Sequence, residues 1–141
     1  MVLKLTPVIS LVLVVMLTAF TLPDKQIGQI SLLDLKGKKV SLSEIKDHQA
    51  MVLLFLSPEC PLCQSYTLTI NKLLKEYGAK GISFIGIVPS KDFTLQSIND
   101  YRVTYKSSLR ILRDENNELV RFLNASVTPE VFLLNRQAKI I

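Results

Sequence analysis

Apolar and polar positions along this chain predict a layered α/β structure. Met51 to Leu56 reads Met-Val-Leu-Leu-Phe-Leu, a continuous apolar run of the length expected for a strand covered on both faces. Ile82 to Val88 is a second such run, ended by Pro89. Between them, from Pro61 onward, Tyr66, Ile70, Leu73, Leu74 and Tyr77 recur at helical spacing, and Gly78 closes the pattern. Tyr66 is read as part of the helix's buried stripe. Strand, helix and strand in this order make a β-α-β unit, so the two strands should run parallel with a right-handed crossover.

Weaker signals flank this unit. Gln29 to Asp34 and Lys39 to Leu42 bracket Lys36-Gly37-Lys38, the pattern of a hairpin, and Ser43 caps a short turn through Ile45. Thr94 opens a helix carrying Leu95, Ile98, Tyr101 or Arg102, and Tyr105 on one face. Leu109 to Leu112 reads as a short strand or edge segment. Asp114 to Asn124 shows helical spacing at Leu119, Phe122 and Leu123. Val131 to Leu134 is another strand, Asn135 to Ala138 its turn, and Lys139 to Ile141 the start of a partner strand.

The first 22 residues stand apart. Met1 to Lys4 carries one positive charge, Val8 to Phe20 is interrupted only by Ser10 and Thr18, and no acidic residue precedes Asp24. This is the pattern of a secretory signal or an uncleaved signal anchor. Leu5 to Leu22 is near the lower limit of a membrane span, which needs about 17–25 residues. Ala19-Phe20-Thr21 is a poor cleavage site, so a retained anchor is slightly favoured over release. No cysteine follows the run closely, which excludes a lipid-anchored lipoprotein. The expectation is export to a periplasmic or other extracytoplasmic compartment, with membrane contact through residues 5–22 if they are kept.

Composition narrows the remaining choices. The 141 residues suit one domain of ordinary size. Loss of Lys4 with the leader lowers the net charge from +5 to about +4. Those charges are scattered, and Lys36, Lys38 and Lys39 form the one tight basic group, around a turn. Without a basic stripe or an aromatic platform, nucleic-acid binding is disfavoured.

The only two cysteines lie in Cys60-Pro61-Leu62-Cys63, at the end of the first buried strand and the start of the helix. The spacing puts the second sulfur one turn inside the helix, on the same face as the first. Three readings compete. A structural disulfide closing so short a loop constrains the unfolded chain little. Structural zinc wants four ligands, and His48 is the only histidine, at the far end of the strand. Reversible thiol-disulfide chemistry fits best. Helix N-terminal amides and the helix dipole stabilise a thiolate at Cys60, which assigns it the attack and leaves Cys63 to resolve. Pro61 suits the first helical turn, where a missing N–H goes unnoticed. Glu59 would oppose the thiolate if its carboxylate faced the sulfur. Far downstream, Val127-Thr128-Pro129-Glu130 holds an X-Pro bond suited to a cis proline opposite the sulfurs, where the Thr128 backbone would pair with an extended peptide.

These residues resemble a known family. The runs Val-Leu-Leu-Phe-Leu-Ser-Pro-Glu-Cys-Pro-Leu-Cys, Gly-Ile-Ser-Phe-Ile-Gly-Ile and Val-Thr-Pro-Glu-Val-Phe-Leu-Leu-Asn-Arg are similar to those of thioredoxin-like redoxins. The nearest likeness is to the exported TlpA/ResA type and its AhpC/TSA bacterial relatives, from about residue 27 to the end. The resemblance implies a thioredoxin-like fold, a central mixed sheet flanked by helices, here with an N-terminal hairpin. It also implies Cys60 as nucleophile, Cys63 as resolving thiol and Pro129 as cis proline. The cofactor is then the redox-active disulfide alone, with no metal. The partners are protein thiols or disulfides and an upstream electron donor.

Departures from the pattern matter. Glu59, after Pro58, replaces the usual aromatic residue before the first cysteine. Pro-Leu replaces the usual intervening pair, which leaves the potential open across about −120 to −270 mV, roughly 7 kcal/mol. Proton-shuttling carboxylates of related folds are missing near Leu54 and Tyr66. Two alternatives stay in view. A thiol peroxidase lacks its proline, since Leu53 stands there. A copper-handling protein of the same fold would use C-x-x-x-C and a distant histidine, and no histidine follows this motif. In the thioredoxin pattern the last strand pairs with another and a helix then covers the sheet. Only Ile140-Ile141 remain for these, so the expectation for residues 23–141 is a C-terminally incomplete domain of marginal stability.

Overall fold

The computed structural model describes residues 26–44 and 48–141. The leader, and Ile45 of the turn expected from Ser43, lie outside the described residues. The chain opens with a 3-10 turn (Ile27–Gln29), then β1 (Ser31–Leu33), β2 (Lys39–Ser41) and a second 3-10 turn (Leu42–Glu44). There follow β3 (Ala50–Phe55), α1 (Pro61–Gly78), β4 (Ile82–Pro89), α2 (Leu95–Thr104), β5 (Arg110–Asp114), α3 (Glu118–Leu123) and β6 (Glu130–Asn135). The six strands form one mixed sheet in the order β2-β1-β5-β4-β3-β6. β3, β4 and β5 run parallel, while β1 and β6 pair antiparallel with β5 and β3.

Period-2 alternation along the central strands builds two cores. Leu53 and Phe55 of β3 and Ile85 and Ile87 of β4 face one side, with Leu112, Leu119 and Leu123. Leu54, Leu56 and Val88 face the other, under α1 and α2, with Cys63, Ile98, Tyr101 and Ile111. Burial on both faces explains the continuous apolar runs. Gly86 permits the close packing beneath α1. A Cβ there would meet Leu56 Cδ2 at 3.0 Å and Ile111 Cγ1 at 3.3 Å.

Local chemistry sets the element ends. At the β1–β2 turn, Asp34 Oδ1 accepts from Lys36 N and Lys38 N, and Gly37 takes φ +78°. The amide of Lys38, more than any other influence, lowers the Asp34 carboxyl below its ordinary value. Thr94 caps α2, its Oγ1 accepting from Ser97 N at 3.1 Å.

Three expectations are corrected. β5 is an interior strand, flanked by β4 and β1; the edges are β2 and β6. The helix expected from Asp114 starts only at Glu118, because Asp114 ends β5 and its side chain serves as the helix cap. Tyr66 is 52% exposed. The packed stripe of α1 runs through Cys63, Thr67, Ile70 and Leu74, so the helix is rotated from the apolar pattern, toward two residues of modest hydropathy. Beyond β6, Ile140 bridges to Leu134, and Ile141 N donates to Leu133 O. Val131 and Leu133 of β6 remain 57% and 37% exposed on the α1 side of the sheet.

Candidate active site

The two cysteines sit where β3 hands over to α1. Ser57 O accepts from Cys60 N, and Gln64 Nε2 donates to Pro58 O at 2.8 Å, tying the connecting loop to the first turn of the helix. Cys60 is the helix N-cap and Pro61 follows it, exposed, in the first turn. The Cys60 sulfur accepts from Cys63 N at 3.5 Å. Cys60 is half-buried, whereas Cys63 is 1% exposed inside the core under α1.

That asymmetry divides the two thiols chemically. The Cys63 amide is the leading cause that lowers the Cys60 thiol below its ordinary value; partial burial opposes it, and Cys63 Sγ, the Leu62 amide and the Thr128 hydroxyl assist. Burial pushes the Cys63 thiol up to about 11, against the help of the Ser57 backbone. The sulfurs interact, so these are properties of the pair. Cys60 is the more readily ionised of the two, and Cys63 holds its proton to higher pH.

The second half of the site comes from the β6 side. The Thr128–Pro129 peptide is cis, and the Thr128 carbonyl accepts from Cys60 Sγ at 3.4 Å. Residues Cys60, Cys63, Thr128 and Pro129 therefore meet at one end of the sheet. Glu59 is exposed, and its side chain makes no hydrogen bond or ion pair among the described residues. His48 lies at the opposite end of β3, about 20 Å away for six strand residues, where it lines a cavity of about 500 Å³ with Met51, Phe122 and Leu134. Among the described residues no group of three or more His, Cys, Asp or Glu is placed to hold a metal. Among them, too, no helix is long and apolar enough to cross a membrane.

One part of the site escaped the sequence reading. Behind Cys63, Thr67 Oγ1 donates to the Cys63 carbonyl at 3.1 Å, and the Tyr101 hydroxyl lies 3.3 Å from that carbonyl and 3.0 Å from Thr67 Oγ1. Both residues are buried, at 2% and 4% exposure. Burial raises the Tyr101 phenol, the Thr67 hydroxyl opposes this, and negative charge on the sulfurs raises it further. A threonine four residues after the second cysteine, with a tyrosine on the next helix, was the available signal.

The AhpC/TSA family profile matches residues 16–141. The chain belongs to the AhpC/TSA family. Membership places it among thioredoxin-type oxidoreductases. No curated protein matches the sequence. Among solved structures, a hypothetical protein from Sinorhizobium meliloti is 23% identical with a TM-score of 0.73; the match covers 87% of this chain and 69% of that one. The thioredoxin domain of a thiol-disulfide oxidoreductase from Bacteroides vulgatus is 19% identical, TM-score 0.70, over 86% and 87% of the two chains. A secreted disulfide oxidoreductase of Mycobacterium tuberculosis, homologous to Escherichia coli DsbE, is 16% identical, TM-score 0.68, over 80% and 81%. These likenesses establish the thioredoxin-like fold of this AhpC/TSA member.

The unequal thiols make a pH prediction. Alkylation of Cys60 is expected to follow a midpoint below its ordinary 9.0, while Cys63 stays unmodified until the pH nears 11. Glu59→Gln should leave the Cys60 midpoint within about 0.3 units, as for an exposed, solvated charge. Folding stability should fall in the alkaline range through the two buried, raised groups, Cys63 and Tyr101, with Cys63 titrating from the lower unfolded value. The folded value of Cys63 is raised, so its contribution is intact below the unfolded value of 9.0 and is lost as the pH rises through about 11. Mass mapping of alkylated peptides against pH checks the order; labelling of Cys63 first would reverse the assignment.

Proposed function

We propose that this protein is an extracytoplasmic thiol-disulfide oxidoreductase that reduces protein disulfides. The Cys60 thiolate attacks a substrate disulfide, forming a Cys60–substrate mixed disulfide and releasing one substrate sulfur, which takes up a proton. Cys63 then gives up its proton and attacks Cys60 Sγ. A Cys60–Cys63 disulfide forms, and the second substrate sulfur leaves as a thiol. An upstream electron donor returns the pair to the dithiol, with no other cofactor. Thr128 and Pro129 receive the substrate chain, while Pro61 modulates the loop around the nucleophile and Glu59 stays in solvent beside it. Residues 5–22 direct export and serve as a membrane anchor if retained.

The observation that carries this reading is the inequality of the two sulfurs: Cys60 half-exposed and more readily ionised, Cys63 1% exposed and pushed up by burial. A buried thiol cannot open a foreign disulfide, but it can close an internal one. The secreted character and chemistry of the M. tuberculosis protein point the same way.

Insulin reduction with a chemical electron donor tests the activity, and equilibration against glutathione gives the potential. The expected result is catalysed reduction with a potential on the reducing side of about −200 mV. Tight one-to-one Cu(I) binding without insulin reduction would transfer the chain to the copper-handling reading. Turnover of peroxide in place of insulin would make it a thiol peroxidase.

A further inference from the structure

Glu130 reaches across the segment that faces the nucleophile. Its backbone is fixed as the first residue of β6, in register with Phe55 of β3. Its Oε2 accepts from Ser126 N at 2.7 Å and from Val127 N at 3.3 Å. One carboxylate thus ties the adjacent Ser126 and Val127, in the middle of the segment between α3 and β6, to the start of the sheet strand. Thr128 follows directly, between the clamped Val127 and Glu130 itself, and its carbonyl is the one that meets Cys60 Sγ at 3.4 Å.

We propose that Glu130 is a positioning residue, whose carboxylate clamps the Ser126 and Val127 amides and so holds the Thr128 backbone in place for an extended substrate chain. The inference rests on the oxidoreductase reading above and names the residue that sets how substrate is received. Ser126 and Val127 are exposed. Water can therefore satisfy their amides when the carboxylate is gone, so the clamp contributes order to the segment more than stability to the fold. An ordered edge costs less conformational entropy when a peptide docks on it, and that saving is read in substrate binding. The effect runs through geometry and not through charge, because a carboxamide oxygen at the same place still accepts from both amides.

The test compares Glu130→Ala with Glu130→Gln in the full chain, with two readouts. Amide hydrogen exchange at Ser126 and Val127 should accelerate in Glu130→Ala and stay slow in Glu130→Gln. For insulin, Glu130→Ala should raise KM about tenfold with little change in kcat, and Glu130→Gln should stay within about threefold. Alkylation of Cys60 by iodoacetamide, which needs no docking, should keep its pH midpoint in both variants. Unchanged exchange in Glu130→Ala would show that the clamp does not exist. Faster exchange with an unchanged KM would show that it positions nothing. A shifted Cys60 midpoint with equal losses in both variants would replace geometry by charge and overturn the proposal. A wild-type chain inert toward insulin would overturn the parent reading, whereas an active wild type with an unaffected Glu130→Ala overturns this one alone.

Discussion

Cys60→Ser is expected to lower disulfide reduction by about 10³-fold or more, the scale of losing a covalent nucleophile. Cys63→Ser should instead complete the first half of the reaction and stop. The two variants fail differently because their sulfurs occupy different physical settings. Cys60 caps the helix, with the Cys63 amide 3.5 Å from its sulfur, and is accessible to a partner. Cys63 is 1% exposed beneath α1 and can reach only a sulfur already held at Cys60. Incubation of Cys63→Ser with an oxidised protein substrate should accumulate a mixed disulfide, visible as a band on a non-reducing gel that a reductant removes. Mapping should place it at Cys60. Residual turnover in Cys60→Ser, or a trapped adduct through Cys63 in that variant, would mean that the buried thiol is the attacking one.

Much of this site was legible because its determinants are local. The C-x-x-C between an apolar strand and a helix pattern fixes which sulfur faces the amides at the helix start. Thr128-Pro129 was legible by its residue types, and the sheet brings it to Cys60 through the β3–β6 pairing, Phe55 opposite Glu130. The features that were missed depend on packing between elements. Tyr66 looked like core and Thr67 drew no assignment, since periodicity records hydropathy and not which stripe meets the sheet. Cys63 counts for this purpose as a small buried apolar residue, and including it would have rotated the helix correctly. Tyr101 was seen as one of two choices for a helix face, but its hydroxyl lies behind Cys63 only because α2 packs beside α1. The interior place of β5 was hidden because β1, far away in sequence, supplies its second neighbour. Glu130 was read as part of a motif. Its clamp on Ser126 and Val127 is a matter of side-chain direction, which spacing does not give.

Asp114→Ala is expected to destabilise the fold by about 3–5 kcal/mol, a large share of the roughly 5–15 kcal/mol that holds a domain together. Asp114 is 1% exposed. Its Oδ1 accepts from Glu118 N, and its Oδ2 from Leu119 N and Val120 N, each at 2.9 Å. These are the amides at the start of α3 that no helical carbonyl can satisfy. Asn117, formally the cap, takes a left-handed φ of 54° and gives α3 no side-chain bond, so the burden falls on Asp114 alone. Alanine would leave the buried Leu119 amide without a partner and the other two with poor access to water. Asparagine keeps the shape but turns an NH₂ toward amide donors, and its loss should be intermediate, about 2 kcal/mol. The consequence reaches the redox site, because α3 leads through Asn124 and Ala125 into the Ser126–Glu130 clamp. Denaturant unfolding should show a lower midpoint with an unchanged slope, and Asp114→Ala should also speed exchange at Ser126 and Val127. A loss below about 1 kcal/mol would mean that α3 finds other acceptors, and that the clamp stands on β6 without help from the helix before it.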